Sequence, residues 1–274
     1  MEESPRVILV TNDDGIAAAG LAALAGTLAA LGEVYVVAPD RERSTVGHSL
    51  TLHRPLRVER VGARRFAVNG MPADCVNLGI LGLLPMPPNL VVSGINHGAN
   101  LGDDVTYSGT VSAAMEGTLL GVPSIAISHA GGENGGTFEE DAFVEAARVA
   151  CALGARVLAE GLPPKTLLNV NVPAGRPNGV RLTRLGQRVY KGKAVEEVDP
   201  RGKTYYWIGA GPPLWDEREA TDIAAINAGC VSVTPLHLDL THYDALTRLA
   251  SWESGLAAQL RSPGSGQLPG SDRE

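Results

Sequence analysis

The chain has 274 residues, 44% of them hydrophobic and 19% charged, and its 23 basic against 30 acidic residues leave a net charge of −7. This composition suits one sizeable globular domain, with or without an appendage. The acidic balance argues against binding a nucleic acid duplex, because phosphate backbones need a basic surface. Cys75, Cys151 and Cys230 are too few for a disulfide framework and show no CxxC spacing, so each reads as a small buried apolar residue. The opening MEESPRVILVTNDDG lacks the basic-then-apolar order of a signal peptide. No apolar run approaches the ~18–20 residues that span a bilayer. A cytoplasmic protein without a membrane partner is the expectation.

In chain order, Val7–Thr11 (VILVT) reads as a strand buried on both faces. Ala17–Leu31 reads as a helix stopped by Gly32. Glu33–Ala38 is a second buried strand, Arg65–Asn69 a strand, Ala73–Leu84 a helix and Asn89–Ser93 (NLVVS) a strand. Ser108–Leu120 follows as a helix, Ser124–Ser128 as a strand, Asp141–Ala159 as a helix and Thr166–Val172 as a strand. Such alternation with short connections predicts an α/β fold, a mainly parallel sheet with helices on both faces. The pattern breaks after Pro173. Residues 179–218, with the aromatic alternation Thr204–Ile208 (TYYWI), suggest a hairpin or small subdomain, in which the Gly209–Pro213 loop would shape contacts. Cys230–Pro235 is a further strand and Tyr243–Leu260 a last helix, within the C-terminal segment 219–260. Residues 1–260 then form one domain, and the tail 261–274 is too polar to pack.

Four polar stretches follow strands, where open parallel sheets bind ligands. In Asn12-Asp13-Asp14-Gly15, adjacent carboxylates repel unless a cation lies beside them, which suits Mg²⁺ or Mn²⁺. The alternative is one helix-capping Asp and one solvated Asp. Ser93–Asn100 (SGINHGAN) offers Asn96 and Asn100 as oxygen ligands or substrate contacts, or is a glycine turn. Tyr107–Ser112 (YSGTVS) opens a helix, so Ser108, Gly109 and Thr110 form either an anion site or an ordinary cap. Pro39–Ser49 (PDRERSTVGHS) carries two arginines that either pair with Asp40 and Glu42 or face a phosphate, and His48 is a candidate for proton transfer. Asp104 reads as a capping residue or, alternatively, as a metal contact. The four stretches converge on one sheet edge, as a metal-plus-phosphate site requires.

Taken together, ILVTNDDG (Ile8–Gly15), VVAPDRERSTVGHSLT (Val36–Thr51), GMPADCV (Gly70–Val76) and VSGINHGANLGDDVTYSGTVSAAMEG (Val92–Gly117) resemble the SurE family, the survival-protein nucleotidases. PSIAIS, NVNVP, TDIAAINAGCVSVTPL and YDAL continue the resemblance to about residue 250. It implies a metal-dependent phosphatase of nucleoside 5′- and often 3′-monophosphates, with activity on short polyphosphate in some members. It also implies a Rossmann-like domain with a protruding hairpin and a C-terminal segment exchanged between the subunits of a homodimer, sometimes a homotetramer. One divalent metal per subunit would rest on Asp13, Asp14, Ser44 and Asn96, with Asp13, Asp14 and Asn96 as the catalytic set. Ser108, Gly109 and Thr110 would line the phosphate pocket, with Asn12 and Asn100 beside it. His97 falls at a position that varies in the family and would contact substrate or alter the pocket.

The expected chemistry is in-line attack on phosphorus by metal-activated water, because a phosphomonoester dianion repels nucleophiles until its charge is neutralised. Helix N–H groups and Asn side chains would stabilise the equatorial oxygens. A phospho-aspartyl route competes, but two carboxylates ligating metal are poor nucleophiles and the DxDx(T/V) pattern is absent. A non-catalytic nucleotide-sensing module is the alternative function, although no GxGxxG follows the first strand. A receiver-like phosphoacceptor is a third reading; its chain is normally about half this length, and no strand ends in an acceptor Asp mid-chain.

Overall fold

The first strand, β1 (Val7–Thr11), is buried along its whole length, and its side chains divide strictly by parity. Ile8 and Val10 pack with Leu21, Leu24 and Leu28 of α1 (Ala19–Leu28) and with Ala146, Val149 and Ala150 of α4 (Val144–Glu160). Leu9 points the other way, towards Cys75 and Val76 of α2 (Pro72–Leu78) and Ala113 of α3 (Gly109–Leu119). This two-residue period with both faces covered is what a near-continuous apolar run in a parallel strand provides. The computed structural model describes residues 6–44, 47–131, 143–189, 194–208, 214–215 and 218–261. They fall into two compact units, Met1–Leu238 and Asp239–Glu274.

The first unit holds a nine-stranded sheet. The remaining strands are β2 (Glu33–Pro39), β3 (Val58–Gly62), β4 (Arg65–Val68), β5 (Leu90–His97), β6 (Ser124–His129), β7 (Thr166–Val172), β8 (Val180–Leu182) and β13 (Val231–His237). Their spatial order is β3-β4-β2-β1-β5-β6-β7-β13-β8. The six strands from β4 to β7 run parallel, as expected. The chain moves outward from β1 through β2 to β4, then returns to place β5 on β1's other side. The reversal creates a crevice at the carboxyl ends of β1 and β5.

Several boundaries differ from the sequence expectation, each for a local reason. The α1 helix stops at Leu28 because Ala30 and Leu31 donate to carbonyls only three residues back, tightening the last turn. Pro72 starts α2 one residue early, and a π-helical turn at Gly79–Leu83 replaces its second half, where two glycines weaken the α-helix. SGIN is not a turn: β5 continues through it to His97, with a register shift between Ser93 and Asn96 after which Asn96 pairs with Ser128 of β6. The charged edge strand β3 and the short helix α5 (Asp222–Asn227, capped by Thr221) were unforeseen. The β13 strand runs antiparallel to β7, and β8 joins the sheet beside it.

Within 179–218, β10 (Val195–Val198) pairs antiparallel with β11 (Thr204–Trp207), and β9 (Arg188–Val189) with β12 (Leu214–Trp215). The α4 helix begins at Val144; residues 141–142 of its expected start, the Gly209–Pro213 loop and the tail 262–274 lie outside the described residues. The second unit's helix is α6 (Tyr243–Arg261). Among the described residues no helix is long and apolar enough to cross a membrane.

Candidate metal and phosphate site

The turn after β1 is closed by its own asparagine. Asn12 is fully buried; its Oδ1 accepts the Gly15 N–H at 3.2 Å and its Nδ2 donates to the Gly15 carbonyl at 3.1 Å. Gly15 sits at φ +99°, and a Cβ there would stand 2.9 Å from the Arg41 carbonyl carbon. Asn12 therefore shapes the turn and presents Asp13 and Asp14. Asp13 is 4% exposed and accepts the Thr110 hydroxyl. The α3 helix comes this close because its first residue is glycine: a Cβ on Gly109 would lie 2.8 Å from both Cβ and Oδ2 of Asp13. Ser108 caps the helix, its Oγ accepting the Val111 N–H at 3.1 Å.

The loop after β2 is tied to the same corner. Arg43 donates its N–H to the Asp13 carbonyl at 2.7 Å, and Asp40 donates its own to Val68 at 2.8 Å. Arg41 and Arg43 both pair with Asp40, at 3.0 and 3.5 Å, and hold that carboxyl below its usual range. Ser44 donates to Glu42 Oε1 at 2.7 Å. At the end of β5, Asn96 Nδ2 donates to the Gly98 carbonyl at 2.8 Å, which leaves Oδ1 as its acceptor end. The next residue, His97, donates its backbone N–H to Asp14 and stacks its ring on buried Phe143, centroids 4.9 Å apart.

These elements enclose a cleft of about 450 Å³ lined by Asp13, Asp14, Ser44, Asn96, Asn100 and Ser108, together with Glu42, His97, Ala99, Asp104 and Tyr107. Asn12, Gly109 and Thr110 stand behind this lining. His48 does not line it either: its Nε2 lies 2.6 Å from Glu116 Oε2. Asp104, on the 3₁₀ turn Gly102–Thr106, does. Burial raises both aspartates above the ordinary carboxylate range. For Asp13 the Thr110 hydroxyl opposes the rise. Asp14 is pushed up to about 7, first by burial, then by the charges of Asp13 and Glu42.

With that geometry in view, the survival protein SurE family model matches residues 8–192. This chain belongs to the SurE family. The protein named 5′-nucleotidase SurE in Syntrophotalea carbinolica is 57% identical over 246 residues, covering 90% of this chain and 97% of that one. Its namesake in Geobacter sulfurreducens is 55% identical over 249 residues, covering 90% and 93%. The crystal structure of the SurE protein from Aquifex aeolicus superposes with a TM-score of 0.79 at 46% identity, over 90% of this chain and 99% of that one.

The residues fit a hard divalent cation. Asp14 Oδ2 is buried with no hydrogen-bond partner among the described residues, a costly state for an anionic oxygen that a cation would relieve. Among the described residues no group of three His, Cys, Asp or Glu side chains converges as a metal site. Asp13, Asp14, Ser44 and Asn96 instead line one cleft, and two carboxylates with the neutral oxygens of a serine and an asparagine could hold a hard cation such as Mg²⁺ or Mn²⁺ better than a softer metal.

The sequence reading missed the support under Asn100. Asn171 Oδ1 accepts the Asn100 N–H at 2.8 Å, while the Nδ2 groups of Asn169 and Asn171 both donate to the Asn100 carbonyl at 2.9 Å. Asn100 Nδ2 in turn donates to Ser128 Oγ at 2.8 Å. The available signal was the alternation of Asn and Val in Asn169–Val172, since polar residues in a buried strand need designated partners.

Proposed function

We propose that this chain is a metal-dependent nucleotidase that hydrolyses nucleoside 5′-monophosphates, and 3′-monophosphates as a second class, to nucleoside and phosphate, with short polyphosphate as a side substrate. The observation that carries this reading is the adjacent pair of buried Asp13 and half-buried Asp14, the latter with a buried oxygen that has no hydrogen-bond partner among the described residues, set against the start of α3. The family relatives' shared name, 5′-nucleotidase SurE, supports it. One divalent ion per subunit, Mg²⁺ or Mn²⁺, would be held by Asp13, Asp14, Ser44 and Asn96. When bound, such an ion neutralises phosphate oxygens and lowers the pKa of water.

The chain's own groups do the rest. Thr110 and the His97 N–H hold the two carboxylates in place. The N–H groups opening α3, with Ser108 at the cleft wall, donate to the equatorial phosphate oxygens. Asn12 fixes the turn, and Asn100 sets the wall facing it. The test is phosphate release from a panel of nucleoside monophosphates after EDTA treatment, with and without Mn²⁺ or Mg²⁺. Wild type should recover release with metal, and Asp14→Asn should fall at least ~100-fold below it. No release under either metal, with nucleotide binding intact, would move the assignment to a sensing module.

We also propose a homodimer or homotetramer in which the C-terminal segment is exchanged between subunits. Leu246, Leu249, Trp252, Leu256 and Leu260 of α6 are all exposed, at helical spacing. Light scattering should return at least twice the 28.5 kDa chain mass; a monomer would overturn this.

A further inference from the structure

Glu116 is a carboxylate the proposed chemistry does not use, yet it is only 6% exposed in the middle of α3. A buried carboxylate persists when its oxygens are paired, and both of these are. Oε1 accepts Nδ2 of Asn77, on α2. Oε2 accepts Nε2 of His48 at 2.6 Å, across 68 residues of sequence. His48 lies in the loop that carries Ser44 and Glu42 into the cleft. That loop is fixed on its near side by Arg43 N–H to Asp13 at 2.7 Å. On its far side Gly47 donates its N–H to the Tyr107 carbonyl at 3.2 Å, and Thr51 to Asp74 Oδ1 at 2.8 Å. Among the described residues the Ser44 hydroxyl bonds within the loop, to Glu42. Its position relative to Asp13 and Asp14 is therefore set by these flanking ties.

We propose that His48 and Glu116 form a clamp that holds the Ser44-bearing wall of the cleft against α3, which makes both of them positioning residues for cation binding. The helix that presents Ser108 and supports Asp13 is thus also the anchor for the opposite wall. One rigid element registers both halves of the site. The inference rests on the cation-site reading above.

His48 is the residue to change, because it lies near the surface while removing Glu116 would disturb the buried packing. Three full-length proteins are compared: wild type, His48→Ala and His48→Gln, the last keeping an N–H donor at similar reach. Hydrogen exchange at residues 40–44 and 47–50, measured without metal, should be about tenfold faster in His48→Ala and near wild type in His48→Gln. Mn²⁺ titration should show affinity weakened about ten- to hundredfold in His48→Ala, the range of one hydrogen bond to a charged group. His48→Gln should restore it, and kcat at saturating Mn²⁺ should stay within about twofold of wild type. A His48→Ala protein matching wild type in exchange and Mn²⁺ affinity would overturn the clamp. So would a His48→Gln protein that behaves like His48→Ala. A wild type that neither binds Mn²⁺ nor releases phosphate would instead sink the cation-site reading, while the metal-free exchange still judges the clamp.

Discussion

Asp13 and Asp14 stand side by side, but the protein treats them differently. Asp13 is buried against α3 and receives a hydroxyl; Asp14 receives a backbone N–H and, among the described residues, keeps one oxygen unpaired. Replacing Thr110 by Val keeps the shape and removes the hydroxyl. It should lower kcat/KM for a nucleoside monophosphate about tenfold, with the fold retained by circular dichroism. The raised Asp14 pKa also has a sign. Between the ordinary carboxylate value of 3.8 and about 7, folded Asp14 keeps a proton that the unfolded chain has lost. Its contribution to stability is thus lost as pH rises through that window. His97 and His129, whose pKa values are lowered first by desolvation, work in the opposite direction near neutrality. The informative quantity is therefore wild type minus Asp14→Asn in urea unfolding at pH 5 and pH 8 in EDTA. That difference should fall with pH by on the order of a few kcal/mol and shrink when Mn²⁺ is added.

At the scale of elements, the parallel strands and the helix that opens at Ser108 were legible because apolar period and capping chemistry are local. NDDG and YSGT, which the structure brings to one cleft, each stand out in consecutive residues. What was hidden depends on pairing. SGIN carries a glycine that reads as a turn, and only the resumed ladder between Asn96 and Ser128 shows it to be strand. Likewise nothing near Asn100 announces that Asn171, on β7, satisfies its backbone on both sides. Asn171→Ala would strand a buried N–H and weaken a carbonyl's pairing, costing about 2–3 kcal/mol in denaturant unfolding and lowering kcat/KM. Asn171→Asp still accepts the Asn100 N–H but as a carboxylate donates nothing to its carbonyl and buries a charge, so it should cost at least as much.

Across the whole molecule, the order of the sheet decides where chemistry can happen. The chain reverses direction at β1, so the ends of β1, β2 and β5 and the start of α3 meet at one crevice. Periodicity cannot reveal that order, because a buried apolar strand does not say which neighbour it will take. The asparagine support on β7 has a consequence for how the protein is made. Every residue proposed to hold the cation or phosphate has been synthesised once α3 begins, but Asn171 arrives roughly 60 residues later, several seconds at about 5–20 residues per second. During that interval the nascent chain carries its acidic pair without the frame that fixes the facing wall. A chain released early would own all the proposed ligands and still lack a finished pocket, so the pocket's facing wall is completed late in translation, when β7 docks.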